Sequence, residues 1–165
     1  MRQYLPRETD FLQQAENNRH FEGVLPIGEL VRIHDVLNST DGDVRVTLDF
    51  GWKYGIRSLS GTVDAELELI CQRCLNPMKT GVTGKFCFAL ITDADDIANV
   101  PDDMEPYIIE GVKQSVDDVV TDELLLSIPL VAKHDEECSE YIQEHDEVVE
   151  TDTYKPFASI KDLLK

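Results

Sequence analysis

The stretch Ile70-Cys71-Gln72-Arg73-Cys74-Leu75-Asn76-Pro77 lies between two segments that both alternate apolar and polar residues. A period of two is typical of a β-strand with one buried face, so this stretch is predicted to be the turn of a β-hairpin. The C-x2-C spacing at the turn agrees with three interpretations: a metal knuckle, a redox pair, or two small core residues. The choice among them decides most of the functional question.

The segments around this turn supply most of the predicted sheet. Residues 62–71 put their odd-numbered apolar residues and Cys71 on the inner face, and residues 82–90 put their even-numbered apolar residues there. Upstream, residues 43–50 alternate in the same way, and residues 21–25 form a short strand. Residues 52–59 are predicted to be a weaker strand in which Gly55 marks a bulge. Residues 107–109 are predicted to add an edge strand.

Three helices are predicted outside these strands. The first spans residues 9–17 with Thr9 as its cap. Pro26 opens the second, whose apolar face is predicted to hold Leu30, Val31, His34 and Leu37. The third begins after Ser115 and ends before Pro129, and its broad apolar face predicts deep packing. Residues 92–106, which are acidic and interrupted by prolines, are predicted to form a surface loop.

Together these elements predict an α+β fold, an antiparallel β-sheet covered by helices, over residues 1–133. Residues 134–165 are predicted to be an acidic, flexible tail, because charged runs with few apolar residues are usually solvated. The tail ends in an apolar segment with helix-like spacing, formed by Phe157, Ile160, Leu163 and Leu164. We expect this segment to fold on a partner.

The charge of the chain limits its partners. Its net charge of −18 comes from 33 acidic and 15 basic side chains. A free-standing nucleic-acid binder draws its affinity mainly from Lys and Arg on phosphates, so any RNA contact here needs a local basic patch. The charge also suits a basic protein partner. No apolar run approaches the ~20 residues of a membrane span, and the N-terminus lacks the apolar region of a signal peptide, which predicts a cytoplasmic protein.

The metal interpretation pairs Cys71 and Cys74 with His134 and Cys138. C-x2-C followed by H-x3-C supplies four ligands of the types that zinc prefers. The alternative is that Cys71 belongs to the core and the other three are ordinary loop residues. A redox pair of the thioredoxin type opens a helix after a strand, whereas this pair is predicted to lie in a hairpin.

Basic residues gather along the predicted strands and near the knuckle. Arg57, Arg73, Lys79 and Lys85 are predicted to contact RNA or another partner, the alternative being that they balance neighbouring acids. The sequence contains no phosphate-binding glycine loop and no spacing that indicates a catalytic triad. No catalytic residues are therefore predicted.

The chain resembles the YceD-like proteins, also called the large ribosomal RNA subunit accumulation proteins. The residues that stand in the family's order are Cys71-Gln72-Arg73-Cys74-Leu75, Cys87-Phe88, the run from Asp122 to Val131, His134, Cys138 and Lys155-Pro156-Phe157-Ala158. The resemblance implies a non-enzymatic role in the synthesis, processing or stability of 23S ribosomal RNA in the bacterial cytoplasm. The partner would be that RNA or its precursor particle. The alternative function is that of an adaptor that is stabilised by a bound metal ion and binds a basic ribosomal protein without contacting RNA.

Overall fold

The computed structural model describes residues 5–138, and its centre is a five-stranded sheet. The strands are β2 (His20–Pro26), β3 (Asp43–Lys53), β4 (Ile56–Ile70), β5 (Pro77–Ile91) and β6 (Glu105–Ile108), in the order β2-β3-β4-β5-β6. Neighbours from β2 to β5 are antiparallel, while β6 runs parallel to β5. The sheet is thus mixed, and the prediction of a wholly antiparallel sheet is wrong at this edge.

Two α-helices and a small ribbon complete the fold. Helix α1 spans Phe11–Glu16 and α2 spans Val116–Ser127. The ribbon pairs β1 (Glu8–Thr9) with β7 (Gln114–Ser115), which joins the start of the chain to the start of α2. The described part is therefore an α+β arrangement with few helices. None of its helices is long and apolar enough to cross a membrane.

The alternation of β3, β4 and β5 fills one face of the sheet, as predicted. The even positions of β3 and the odd positions of β4 are buried, and they are continued by the even positions of β5. Helix α2 rests on β5, since a Cβ built on Gly84 would lie 2.6 Å from the Ser127 hydroxyl. Ser115 caps α2 by accepting a hydrogen bond from the Asp118 N–H, as predicted. The core is one cluster that includes Phe11, Leu25, Ile33, Leu48, Leu67 and Leu124.

Several predicted elements differ from the structure. The second helix is instead a pair of 3-10 helices, Ile27–Glu29 and Val31–Val36, and Val31 is 72% exposed. Helix α1 is capped by Asp10 rather than Thr9. Tyr54 and Gly55 are the turn between β3 and β4, so no strand runs through residues 52–59. The predicted loop at residues 92–106 contains a 3-10 helix, Ala94–Asn99, and the start of β6.

A candidate metal centre at the tip of the long hairpin

Cys71, Cys74, His134 and Cys138 come together at the tip of the β4–β5 hairpin. One ligand atom from each residue lies within 4.8 Å of the other three. Cys71 follows the last residue of β4 and is fully buried, as its position in the alternation predicts. The other three are partly buried. The structure therefore brings together all four residues of the predicted metal site.

The backbone of the knuckle places the first two ligands. Cys71 N–H donates to the Asn76 carbonyl oxygen and Leu75 N–H donates to the Cys71 carbonyl oxygen, both at 2.9 Å. Leu75 closes this tight turn with a left-handed φ of 62°. Gln72 N–H donates to the Ala132 carbonyl oxygen at 2.8 Å, which holds the segment after α2 against the knuckle. His134 and Cys138 reach the cluster from that segment.

Two of the separations between ligand atoms fit a tetrahedral zinc ion. Bonds of about 2.3 Å to sulfur and about 2.0 Å to nitrogen put two sulfurs about 3.8 Å apart, and a sulfur and a nitrogen about 3.5 Å apart. The Cys71 and Cys138 sulfurs are 3.7 Å apart, and the Cys74 sulfur is 3.5 Å from His134 Nδ1. A disulfide needs about 2.05 Å between sulfurs. The cluster thus has the ligand types and spacings of a structural metal site.

Local hydrogen bonds favour the thiolate that a metal requires. Burial raises the pKa of the Cys71 thiol, but hydrogen bonds from the backbone N–H groups of Cys74 and Arg73 lower it to about 5. Burial also raises the pKa of Cys138, but side-chain hydrogen bonds with Arg73, His134 and Cys74 together lower it by more. The hydrogen bond with Cys138 raises the pKa of His134. In the metal-free site, Cys71 is therefore ionised at neutral pH.

Arg73 faces the cluster instead of solvent. Its Nε donates to the Cys138 sulfur at 3.1 Å, and its Nη2 donates to the carbonyl oxygens of His134 and Glu136. Its side chain is 24% exposed. Three thiolates and a neutral imidazole around Zn²⁺ carry a net charge of −1, which a guanidinium beside Cys138 offsets. These contacts were not foreseen from the sequence, where Arg73 stood only as a candidate RNA contact.

Cys87 lies apart from this cluster. It is on the outer face of β5, and the Lys53 ammonium is 3.6 Å from its sulfur. Cys87 is therefore not one of the four residues that meet at the knuckle. The knuckle also opens no helix, because residue 77 already begins β5, and this disfavours a thioredoxin-type redox pair.

The basic residues predicted to contact RNA do not form one patch. Lys79, near the knuckle, pairs with Glu66 at 3.2 Å, while Lys85 lies beside Asp103 and Glu105 in an open groove. Arg57 pairs with Glu16 at the other end of β4. A rise of about 3.3 Å per residue puts that end roughly 40 Å from the knuckle. RNA contact by any of these residues stays a prediction.

Two surface features were missed in the sequence. The first is a groove of ≈ 710 Å³ on the outer face of the hairpin, lined by acidic side chains that include Asp41, Asp64, Glu66 and Glu68. The second is a pair of exposed aromatic residues at the β3–β4 turn, Trp52 and Tyr54. Turn residues and charged residues in the sequence indicate where the groove and the aromatic pair lie. Only the pairing of the strands shows which residues lie next to one another. The predicted apolar tail segment lies outside the described residues.

Comparisons with known proteins agree with the resemblance seen in the sequence. The profile of the family described as "Large ribosomal RNA subunit accumulation protein YceD" matches residues 59–164. The protein of that name from Haemophilus influenzae is 27% identical over 135 residues, which cover 81% of this chain and 78% of the relative. No solved structure matches the chain. Because the profile covers well over half of the sequence, the chain belongs to the YceD family of large ribosomal RNA subunit accumulation proteins.

Proposed function

We propose that this protein is a non-enzymatic, cytoplasmic factor that binds 23S ribosomal RNA or its precursor particle and supports the synthesis, processing or stability of that RNA. The family match over residues 59–164 carries this proposal, since the family and the Haemophilus relative are both named for accumulation of the large ribosomal RNA. The tight, preformed Cys and His cluster supports a binding role, because closed four-ligand sites are structural rather than catalytic.

We also propose that Cys71, Cys74, His134 and Cys138 hold a structural zinc ion. The ion would fasten residues 134–138 to the hairpin tip, across the roughly 60 residues between the two ligand pairs. Arg73 supports this site by contacting Cys138 and the backbone of the same segment. Its part in any RNA contact would therefore be indirect, through the shape of the tip.

The second candidate function is an adaptor that binds a basic ribosomal protein and does not touch RNA. The net charge of −18 and the acidic groove on the hairpin favour it. A lysine- or arginine-rich segment lying in that groove would meet several carboxylates at once. Lys79 and Arg45 also line the groove, so a basic partner would have to displace or bypass their ion pairs.

The two candidates separate in a pull-down of the full tagged chain, followed by RNA sequencing and protein identification. We expect 23S rRNA or its precursor to be enriched, and this enrichment to survive removal of ribosomal proteins. Enrichment of a basic ribosomal protein that persists after ribonuclease treatment would favour the adaptor. Absence of both from the wild-type pull-down would contradict both functions.

The same pull-down tests the exposed lysines. The double variant Lys79→Glu, Lys85→Glu should weaken rRNA enrichment and its salt dependence if these side chains contact phosphates. Arg73 is left unchanged, because reversing its charge would disturb Cys138 as well. Lys113→Glu, an exposed lysine before α2, is the matched control.

A further inference from the structure

The turn between β3 and β4 presents two aromatic side chains to solvent. Trp52 is 49% exposed and Tyr54 is 68% exposed. They lie at the opposite end of β4 from the Cys and His cluster. Isolated apolar residues on a surface need no explanation, but two large rings within three residues leave an apolar area that the described part of the chain does not bury.

Tyr54 occupies a backbone conformation that tyrosine rarely adopts. The turn has two residues, since Lys53 pairs with Ile56, and φ is 53° at Tyr54 and 79° at Gly55. Two-residue hairpins with positive φ at both positions strongly prefer Asn, Asp or Gly at the first. A bulky residue in the left-handed region costs conformational energy, and such residues concentrate at functional sites. Asparagine at position 54 would adopt this turn conformation with less backbone strain.

Cations stand over the aromatic rings at this end of the sheet. Arg57 lies 5.5 Å from the centre of the Trp52 ring, and Lys53 lies 5.5 Å from the centre of the Tyr54 ring. Arg57 also pairs with Glu16, and Lys53 and the Tyr54 hydroxyl both contact Asp103. In a chain of net charge −18, this end therefore combines exposed rings with two cations that each also face a carboxylate.

A groove of ≈ 280 Å³ opens beside Trp52 and Arg57. Asn99 and Asp96 line its other side, and they offer hydrogen-bond donors and acceptors of the kind that read base edges. Aromatic stacking binds unpaired bases with little dependence on sequence, and neighbouring cations contact the phosphates. Stacking also needs fewer cations than backbone binding does, which suits an acidic protein.

We propose that Trp52 and Tyr54 form a stacking site for unpaired bases of single-stranded RNA, with Arg57 and Lys53 beside the RNA backbone. This inference rests on the proposed rRNA-binding function and names the part of the RNA that is recognised. Because only two cations lie next to the rings, we expect binding to depend weakly on salt, with a slope of log Kd against log salt of about 1 to 1.5.

Trp52 is the single tryptophan of the chain, so its fluorescence reports on this site directly. Titration of the full chain with a single-stranded RNA of about 10 nucleotides should quench the emission in a saturable way. The same sequence as a duplex and an inorganic polyphosphate should quench much less. No quenching by the single strand, or equal quenching by polyphosphate, would overturn the proposal. Quenching only by a peptide would identify a protein-binding surface instead.

Variants of Tyr54 separate binding from folding. Tyr54→Asn places a favoured residue in the turn, so the melting temperature should hold, while RNA affinity by anisotropy falls about 10-fold. Tyr54→Phe keeps the ring but loses the Asp103 contact, and it should bind like the wild type. Val112→Asn, a 75% exposed position elsewhere, is the control. Unchanged affinity in Tyr54→Asn would contradict the site.

The rRNA pull-down distinguishes failure of this site from failure of the proposed function. If Tyr54→Asn with Trp52→Thr enriches 23S rRNA as well as the wild type does, the stacking site is wrong and the function stands. If the wild type enriches no rRNA, the function itself fails.

Discussion

At the scale of single residues, the cluster at the hairpin tip makes a clear prediction about metal. Protein purified without chelators should contain about one zinc per chain, measured by elemental analysis. Cys138→Ser should lose the zinc and lower the melting temperature, because it removes one of four ligands and the Arg73 contact. Cys87→Ser is the matched control, since Cys87 lies outside the cluster and should change neither.

Zinc binding should also weaken in acid. The ligands must be deprotonated, so protons compete with the metal, and affinity falls as pH drops through the pKa values of the thiols and His134. The low pKa of Cys71, about 5, keeps this thiol ionised further into the acid range than an ordinary cysteine. Stoichiometric zinc in Cys138→Ser, or none in the wild type, would contradict the metal centre.

The four residues that meet in the cluster could be predicted from the sequence, but their surroundings could not. Cysteine and histidine at metal spacings carry their own chemistry, so C-x2-C and H-x3-C were sufficient to name the four residues. Arg73 carries a charge that suits thiolates, carbonyls and phosphates equally well. Only the folded position of residues 134–138 shows that Arg73 contacts a cysteine sulfur and a backbone carbonyl oxygen.

At the scale of elements, the close contact between α2 and β5 depends on glycine, which has no side chain, at position 84. A Cβ at Gly84 would lie 2.6 Å from Ser127 Oγ and 2.9 Å from Val63 Cγ2. Gly84→Ala should therefore push the helix from the sheet and destabilise the protein by about 1 to 3 kcal/mol, measured by urea unfolding. Gly81→Ala, on the same strand with no atom within 4 Å, should leave stability unchanged. Equal stability of the two variants would disprove this close packing.

The elements that the sequence predicted best are those with a strict period. The strands β3, β4 and β5 alternate over most of their length, and their buried faces follow directly. The segment after Pro26 was read with the period of an α-helix, whereas its buried residues Ile27, Leu30 and Ile33 are spaced by three. That spacing is the period of a 3-10 helix, in which residues i and i+3 lie above one another.

Other elements depend on partners that periodicity does not encode. A glycine within a strand-like run is consistent with a bulge or a turn, and only the pairing of Lys53 with Ile56 shows that Gly55 belongs to a turn. The direction of β6 likewise follows from the path of residues 92–104, whose composition indicated only an acidic loop. Neither outcome could be read from local residue preferences.

At the scale of the whole molecule, β4 and β5 separate two surfaces of different chemistry. The Cys and His cluster lies at one end, and the exposed aromatic turn lies at the other. The aromatic turn is built from residues close in sequence, whereas the cluster joins two residue pairs roughly 60 positions apart, and the acidic groove lies on the hairpin near the cluster. In the proposed RNA-binding role, base stacking at the aromatic turn would replace part of the charge attraction that a chain of net charge −18 lacks.

The C-terminal segment follows Cys138 after an acidic run, and its apolar residues are Phe157, Ile160, Leu163 and Leu164. Burial of such side chains contributes about 25 cal/mol per Å², either on the protein's own domain or on a partner. The acidic run before the segment favours a partner, since a segment that folds on binding stays soluble until then. Deletion of residues 153–165 should leave the melting temperature nearly unchanged and reduce co-sedimentation with ribosomal precursors.

A full-length variant with the four apolar residues replaced by serine provides the control, because it keeps the length and charge of the tail. It should lose co-sedimentation to the same extent as the deletion if apolar contacts with a partner are responsible. A large fall in melting temperature with co-sedimentation intact would place the segment on the protein's own core instead. The two outcomes differ because burial within one chain adds to folding stability, whereas burial on a partner adds only to binding.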